Sequence, residues 1–120
     1  MGETHVPVLI RNPAEPQRTW EGLFLVDTGA NDCHVPRRYL EGIGLAPRAE
    51  RVYQLADGSV VTVGTTIGEL EFMGELVPSL IAFGEDGTEP LLGSIALQAA
   101  GVEVDLRTES LRKSRRRFRL

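Results

Sequence analysis

The chain has 120 residues, 42% of them apolar and 25% charged, with a formal net charge of −4. This length and composition predict one modest soluble domain with no room for a second. No apolar run approaches the length of a membrane span. The first residues lack the basic and apolar stretches of a secretion signal, and Val6 interrupts the N-myristoylation pattern. We therefore expect a cytoplasmic protein that does not bind membranes.

Short apolar runs broken by glycine and proline occur along the chain, and this pattern favours strands over long helices. Residues 5–11 and 19–26 are predicted strands, separated by a turn at 12–16 because the two prolines there cannot continue a ladder. Residues 31–35 are predicted to be extended. A short helix is predicted at 36–40, because proline is tolerated in a first turn and two glycines soon follow.

The second half of the chain predicts further strands and one more short helix. Strands are predicted at residues 50–55, 60–65, 67–72, 76–83 and 102–106. Asp57-Gly58 between two of them is typical of a hairpin turn. Ser94 is expected to cap a helix over 95–100 that Gly101 ends. These elements predict a mostly antiparallel β-barrel or sandwich.

The charges are unevenly distributed along the chain. Residues 1–111 hold all 17 acidic residues, whereas residues 112–120 hold six of the 13 basic ones. We therefore divide the chain into a folded domain at 1–111 and a basic tail at 112–120. The tail is a solvated terminus, part of a dimer interface, or a segment that docks on an acidic surface, including the protein's own cleft, which it would inhibit. Nucleic-acid binding is not expected, because the acidic domain would repel phosphate.

An ionisable residue, Asp27, directly follows the apolar run from Leu23 to Val26. A strand that is apolar on both faces is expected to be buried on both sides, so a carboxylate at its end would be partly desolvated. Thr28 and Gly29 permit a tight turn there, since glycine adopts backbone angles closed to other residues. The simplest alternative is an Asx-type turn in which Asp27 bonds its own backbone.

Other residues that could carry catalysis or bind a cofactor are few. His5, His34 and Cys33 do not form a metal-binding set at any known spacing. Cys33 and His34 would face opposite sides of a strand and are not a nucleophile pair. The single cysteine excludes an intrachain disulfide. We expect neither a metal nor an organic cofactor.

Leu23 to Ala30 and, about sixty residues later, Pro90 to Gly93 are two short motifs whose order and spacing resemble those of retropepsin-like (retroviral-type) aspartic peptidases of the bacterial single-domain kind. The first resembles the family's active-site stretch, and the second resembles its second signature, which packs beneath the catalytic loop. The Asp57-Gly58 hairpin lies between them, where the family has its flap. Gly101 to Leu106 resembles the segment that follows the family's helix. The resemblance implies a closed antiparallel β-barrel with one or two short helices that is active as a homodimer.

The resemblance also implies a role for each matching residue. Asp27 would be the catalytic carboxylate, and Asp27 of a second copy would complete the dyad. The active-site loop and its support would be Thr28, Gly29, Ala30, Leu91, Leu92 and Gly93. The substrate-binding and flap residues would be Asn31, Asp32, Leu55, Ala56, Asp57, Gly58, Ser59 and Val60. His34 would either line the same cleft or face water.

Some positions depart from the family's pattern. Retroviral members commonly pair an arginine after the second-motif glycine with an aspartate after the first motif. Ser94 and Asn31 stand at these positions here, so that ion pair is absent. Ala30 has no hydroxyl to stabilise an ionised Asp27, so the dyad should titrate higher than in two-lobed relatives, which often have Ser or Thr there.

These observations predict an aspartic endopeptidase that hydrolyses a peptide or protein substrate. Two carboxyls a hydrogen bond apart cannot both ionise, so one can act as the base and the other as the acid toward a water. The alternative is a catalytically inactive homodimeric β-barrel of the same fold that binds peptides or proteins. The intact Asp27-Thr28-Gly29 favours the enzyme.

Overall fold

The computed structural model describes residues 3–120. Over that range the chain is mainly β, as predicted, with nine strands and two short helices. The strands are β1 (His5–Asn12), β2 (Glu15–Val26), β3 (Cys33–Pro36), β4 (Ala49–Gln54), β5 (Val60–Phe72), β6 (Glu75–Gly84), β7 (Leu91–Leu92), β8 (Val102–Asp105) and β9 (Ser110–Lys113). The helices are α1 (Arg37–Gly42) and α2 (Ser94–Ala100). No helix in residues 3–120 has both the length and the apolar character to cross a bilayer.

Seven strands form one sheet in the order β1-β2-β7-β3-β6-β5-β4. β1 also pairs with β5, so six of these strands close into a ring and β4 extends from it on β5. The sheet is mostly antiparallel, as the residue pattern predicts, but it is not the wholly antiparallel barrel that the resemblance implies, because β2 pairs with β7 and β3 with β6 in parallel. The reason is that β7 lies between β2 and β3, and it runs parallel to the first and antiparallel to the second.

The ring encloses the hydrophobic core. Along β1 the side chains of Val6, Val8 and Ile10 are buried, while those of His5 and Pro7 are exposed. Successive residues of a strand face opposite sides, so one face of β1 lines the interior of the ring. The other fully buried large side chains include Phe24, Leu40, Leu70, Ile81 and Leu92.

The apolar run that ends β2 is not buried on both sides, contrary to the prediction. Phe24 is fully buried, but Leu23 is 58% exposed. A closed ring has a single interior, so alternate residues of each strand must face outward. Leu23 lies opposite Pro7 on the outward-facing side of the β1–β2 pair.

Two strands are longer than predicted. β5 is continuous over Val60–Phe72, where the pattern predicts two shorter strands. β2 begins at Glu15, inside the predicted turn. The side-chain oxygen of Asn12 accepts hydrogen bonds from the N–H groups of Ala14 (2.9 Å) and Glu15 (3.3 Å), so the chain reverses within a very short segment.

The helix ends follow the predicted signals with two exceptions. Pro36 precedes α1, but α1 runs through Gly42, beyond its predicted end at residue 40. Gly101 ends α2 in the left-handed conformation with φ 68°. The prediction that Ser94 caps α2 is wrong, because Gly93 occupies the cap position and no side chain caps the helix. Ser94 is instead the first helical residue.

The C-terminal segment pairs with the strand after α2. β9 runs antiparallel to β8, with Val102 opposite Lys113. Arg112 Nε donates to Glu103 Oε1 at 3.0 Å, and Lys113 Nζ lies 3.2 Å from a carboxylate oxygen of Glu75. The domain boundary that we drew after Leu111 therefore falls inside a strand, and the first basic residues of the tail belong to the folded part.

Candidate active site

Asp27 lies where β2 ends beside β7. In this parallel pair Leu25 is opposite Leu91 and Val26 is opposite Leu92. The backbone N–H of Asp27 donates to the carbonyl oxygen of Leu92 at 3.0 Å. The structure therefore brings together the two motifs that the sequence places far apart.

The loop after Asp27 rests on the start of α2. The N–H of Ser94 donates to the carbonyl of Ala30 at 2.8 Å, and the N–H of Ile95 donates to the carbonyl of Asn31 at 3.2 Å. A Cβ atom at Gly93 would lie 2.6 Å from the carbonyl oxygens of both Asn31 and Asp32. Only glycine fits at this crossing without a shift of the backbone, which explains the glycine of the second motif.

The Asp27 side chain is half-buried and keeps one oxygen bonded within its own loop. Its Oδ1 accepts a hydrogen bond from the N–H of Gly29 at 3.0 Å, so the Asx-type turn considered above is present. Gly29 is not in the left-handed region, contrary to the reason given for it from the sequence. Glycine suits this position because it has no side chain: a Cβ atom there would lie only 3.3 Å from Asp27 Oδ1.

Two neighbouring residues complete the loop. Thr28 is exposed, and its hydroxyl forms no hydrogen bond within residues 3–120. Ala30 is half-buried, and its N–H donates to the carbonyl of Asp27 at 3.2 Å. The loop is thus fixed through its backbone, while the Asp27 side chain is half-buried and Thr28 is exposed.

The predicted flap residues form the tip of an exposed hairpin made by β4 and β5. The N–H of Gly58 donates to the carbonyl of Leu55 at 2.9 Å, and the N–H of Leu55 donates to the carbonyl of Ser59 at 2.8 Å. Gly58 has φ 87°, which suits a turn closed by a left-handed residue. All six residues from Leu55 to Val60 are exposed, including Ala56. Hydrogen bonds from the hydroxyl and N–H of Ser59 lower the pKa of Asp57.

Asn31 and Asp32, which we expected to line the substrate cleft, lie in different environments. Asn31 is exposed, but the Asp32 side chain is only 4% exposed. Asp32 Oδ2 accepts hydrogen bonds from Arg51 Nη1 at 3.0 Å and from the Tyr53 hydroxyl at 2.6 Å. Burial and the Asp32 carboxylate raise the pKa of Tyr53 well above its usual value. The sequence analysis missed Arg51 and Tyr53, although their i, i+2 spacing on a predicted strand puts both on one face.

His34 and Cys33 are packing residues of β3. The His34 ring is half-buried and lies against Gly84, and its Nδ1 is buried without a hydrogen-bond partner in the described residues, so the ring does not simply face water. Burial lowers the pKa of His34. Cys33 is fully buried, and burial raises the pKa of its thiol, which disfavours the reactive thiolate. In residues 3–120 no group of three or more His, Cys, Asp or Glu residues could hold a metal ion.

Comparison with known proteins addresses the family directly. Residues 17–95 match the family model described as aspartyl protease. A comparison with curated proteins found no match. The matched region contains the Asp27 loop, the exposed hairpin and Gly93. In the structure the Asp27 loop is hydrogen-bonded to the segment around Gly93. The chain therefore belongs to the aspartyl protease family, of the retropepsin-like type.

Proposed function

We propose that the protein is an aspartic endopeptidase whose site forms when two copies place their Asp27 side chains together. The observation that carries this proposal is the position of the half-buried Asp27 in a loop fixed by backbone bonds to Leu92 and Ser94. The chain has one Asp-Thr-Gly triplet. A water-activating dyad needs two carboxyls, and a symmetric dimer supplies the second from the same residue.

The two Asp27 carboxyls share the chemistry through one proton. The ionised carboxylate accepts a proton from a water, whose oxygen attacks the scissile carbonyl carbon, while the protonated carboxyl donates its proton to the carbonyl oxygen. The tetrahedral diol then collapses as a proton passes to the amide nitrogen and the C–N bond breaks. The acid and base roles belong to the pair, because two carboxyls so close cannot both be ionised.

Exposed groups around the loop support a shared site. The Thr28 hydroxyl can donate and accept hydrogen bonds but forms none within residues 3–120. The family resemblance implies that this hydroxyl bonds the matching loop of the second copy. Ser94 and Asn31 replace the ion pair of retroviral relatives, and their segments are joined instead by the backbone bond from Ser94 to Ala30. The loop is therefore rigid without that ion pair.

The exposed hairpin is suited to cover an extended peptide. Leu55 is 50% exposed and Val60 is 65% exposed, so the hairpin tip presents apolar surface to solvent. Burying that surface against a bound peptide would be favourable, and exposed apolar surface of this kind commonly marks a binding site. We propose that Leu55 to Val60 act as the flap.

The test is cleavage of a peptide library by the wild type and by Asp27→Asn. An amide cannot act as the base, so we expect the variant to fold and dimerise but to lose at least a hundredfold in activity, about the usual contribution of general acid–base catalysis. The control is Asp86→Asn, a change at an exposed turn where the asparagine oxygen can still accept the hydrogen bond from the Arg38 N–H.

Equal cleavage by wild type and Asp27→Asn would refute the proposal. A wild type that binds library peptides without cleaving them would favour the alternative, a binding module of the same fold. Loss of activity in both variants would point to a preparation that had not folded, which circular dichroism detects.

A further inference from the structure

A buried carboxylate joins the catalytic loop to the hairpin. Asp32 follows the loop that begins at Asp27, and its side chain is 4% exposed. A buried carboxylate is stable only when charged or hydrogen-bonding groups surround it. The side-chain partners that the structure gives Asp32 within residues 3–120 are Arg51 and Tyr53, and both bond the same oxygen, Oδ2.

Both partners lie on β4, the strand outside the ring. β4 pairs with β5 in the described sheet and with no second strand there. Apart from the half-buried Tyr53, its side chains are exposed, so apolar packing does little to hold β4 against the ring. The bonds from Arg51 and Tyr53 to Asp32 are therefore the main polar link between this strand and the rest of the site.

The loop end of this link is rigid. The carbonyl of Asn31 accepts a hydrogen bond from the N–H of Ile95 in α2, and Cys33 begins β3 directly after Asp32. A force on the Asp32 carboxylate is thus opposed by a helix and by a strand of the ring. The hairpin end can move, because within residues 3–120 no backbone hydrogen bond joins the tip from Leu55 to Val60 to a residue outside the hairpin.

We propose that Arg51 and Tyr53 are positioning residues that hold the hairpin at a fixed height above the Asp27 loop through their bonds to Asp32. The proposal rests on the proposed function in one respect, since the height of the hairpin affects catalysis only if the hairpin covers the substrate. Opening requires that two hydrogen bonds to a charged oxygen break together. Asp32 consequently serves the hairpin through its Oδ2 atom.

The test compares Tyr53→Phe and Asp32→Asn with the wild type by NMR. Relaxation dispersion of the backbone amides of residues 55–59 measures exchange between hairpin positions on the μs–ms timescale. Loss of one hydrogen bond to a charged group should raise the open population about tenfold in Tyr53→Phe. Asp32→Asn should raise it further. The matched control is Val52→Thr, since Val52 lies between the two partners but is 63% exposed on the opposite face.

Kinetics on a peptide that the wild type cleaves give a second readout. A looser hairpin should raise KM several-fold with a smaller change in kcat, because Asp27 and its loop are untouched. Tyr53→Phe keeps the Arg51–Asp32 pair, so it stays informative if Asp32→Asn fails to fold.

The proposal would be overturned if residues 55–59 of Tyr53→Phe relaxed as they do in the wild type. It would also be overturned if exchange increased as much in the core strands β1 and β6 as in the hairpin, because that would mean general destabilisation. The relaxation measurement needs no catalysis. A wild type that cleaves nothing would therefore refute the endopeptidase while leaving this measurement decisive for the link. Active enzyme with a hairpin unaffected by both variants would refute the link alone.

Discussion

Gly93 lies where two backbone segments of the active site cross. The carbonyl oxygens of Asn31 and Asp32 would both lie 2.6 Å from a Cβ atom at this position. Backbone oxygens cannot rotate away as the end of a flexible side chain can, and both of these belong to the segment that continues from the Asp27 loop. A methyl group at Gly93 would therefore displace the Asp27 loop itself.

We predict that Gly93→Ala lowers the free energy of unfolding by about 2–3 kcal/mol, in the range for overpacking a tight site, and abolishes cleavage. Urea denaturation and the peptide-cleavage assay measure the two effects. Gly42→Ala is the control, because nothing lies within 4 Å of a Cβ atom there and its φ is not left-handed. It should change stability by less than about 0.5 kcal/mol. Equal stability of the two variants would contradict this account of Gly93.

The position of some residues in the site could be predicted from the sequence, and that of others could not. Asp27 and Gly93 could be placed because each belongs to a short motif whose local chain geometry is distinctive. Asp32 could not, because its environment depends on Arg51 and Tyr53, which reach it only after the hairpin has folded back over the loop. Position in a motif says where the backbone runs, but burial of a side chain depends on distant partners.

The small sheet of β8 and β9 is held by its backbone ladder, by exposed ion pairs and by apolar packing, since Val102 is buried in the core and Leu111 packs against it. Arg112 is bonded to Glu103, and Lys113 is paired with Glu75, all at partly exposed positions. Beyond this sheet, Phe118 contacts Gly101 but is 72% exposed. Residues 115–120 therefore bury little apolar surface, whereas residues 112 and 113 contribute to a strand.

Two truncations separate the strand from the remainder of the tail. Removal of residues 115–120 should lower stability by less than about 1 kcal/mol. Removal of residues 112–120 should cost about 1–2 kcal/mol more, since it also removes ladder hydrogen bonds and the pairs to Glu103 and Glu75. Thermal unfolding of both proteins measures the difference. Identical stability would show that β9 adds nothing to the fold.

The same truncations test the predicted roles of the tail. If the tail lies in the cleft, the shorter truncation raises activity, and added salt raises the activity of the intact chain. If it belongs to the dimer interface, truncation weakens dimerisation. If the truncations change neither activity nor dimerisation, the remaining explanation is that the tail is a solvated terminus.

Elements with strong local signals were predicted well, and those that depend on distant pairing were not. The hairpin at Asp57-Gly58 and the end of α2 at Gly101 follow from residues that suit one backbone geometry. β7 consists of Leu91 and Leu92, too short to show periodicity, and its place between β2 and β3 depends on both neighbours. The parallel pairings therefore could not be read from the chain.

The chain has one copy of the Asp27 loop and one copy of the exposed β4–β5 hairpin. The chain contains one Asp-Thr-Gly and one Leu-Leu-Gly, whereas the proposed dyad needs two copies of each. A twofold axis between two identical chains would place their Asp27 loops face to face, so a second Asp-Thr-Gly within one chain is not needed. Activity should therefore depend on pairs of chains.

Mixing wild type with Asp27→Asn tests this dependence. With random pairing at constant total protein, activity should follow the square of the wild-type fraction, so about a quarter remains in an equal mixture. A complete site in each chain would leave about half. Differently tagged chains must first be shown to exchange, because a dimer that never exchanges gives a straight line. Linear dependence with exchange demonstrated would exclude the shared dyad.

The position of β7 also governs when during folding the site can exist. The loop at Asp27 is fixed by bonds to Leu92 and Ser94, which are synthesised long after it. Pairings between segments so distant in sequence form slowly, because the closure entropy of the intervening chain must be overcome first. A nascent or half-folded chain thus exposes Asp27 without the support that orients it. Such a chain has no assembled Asp27 loop, so under the proposed function a folding molecule stays inactive until β7 has paired with β2.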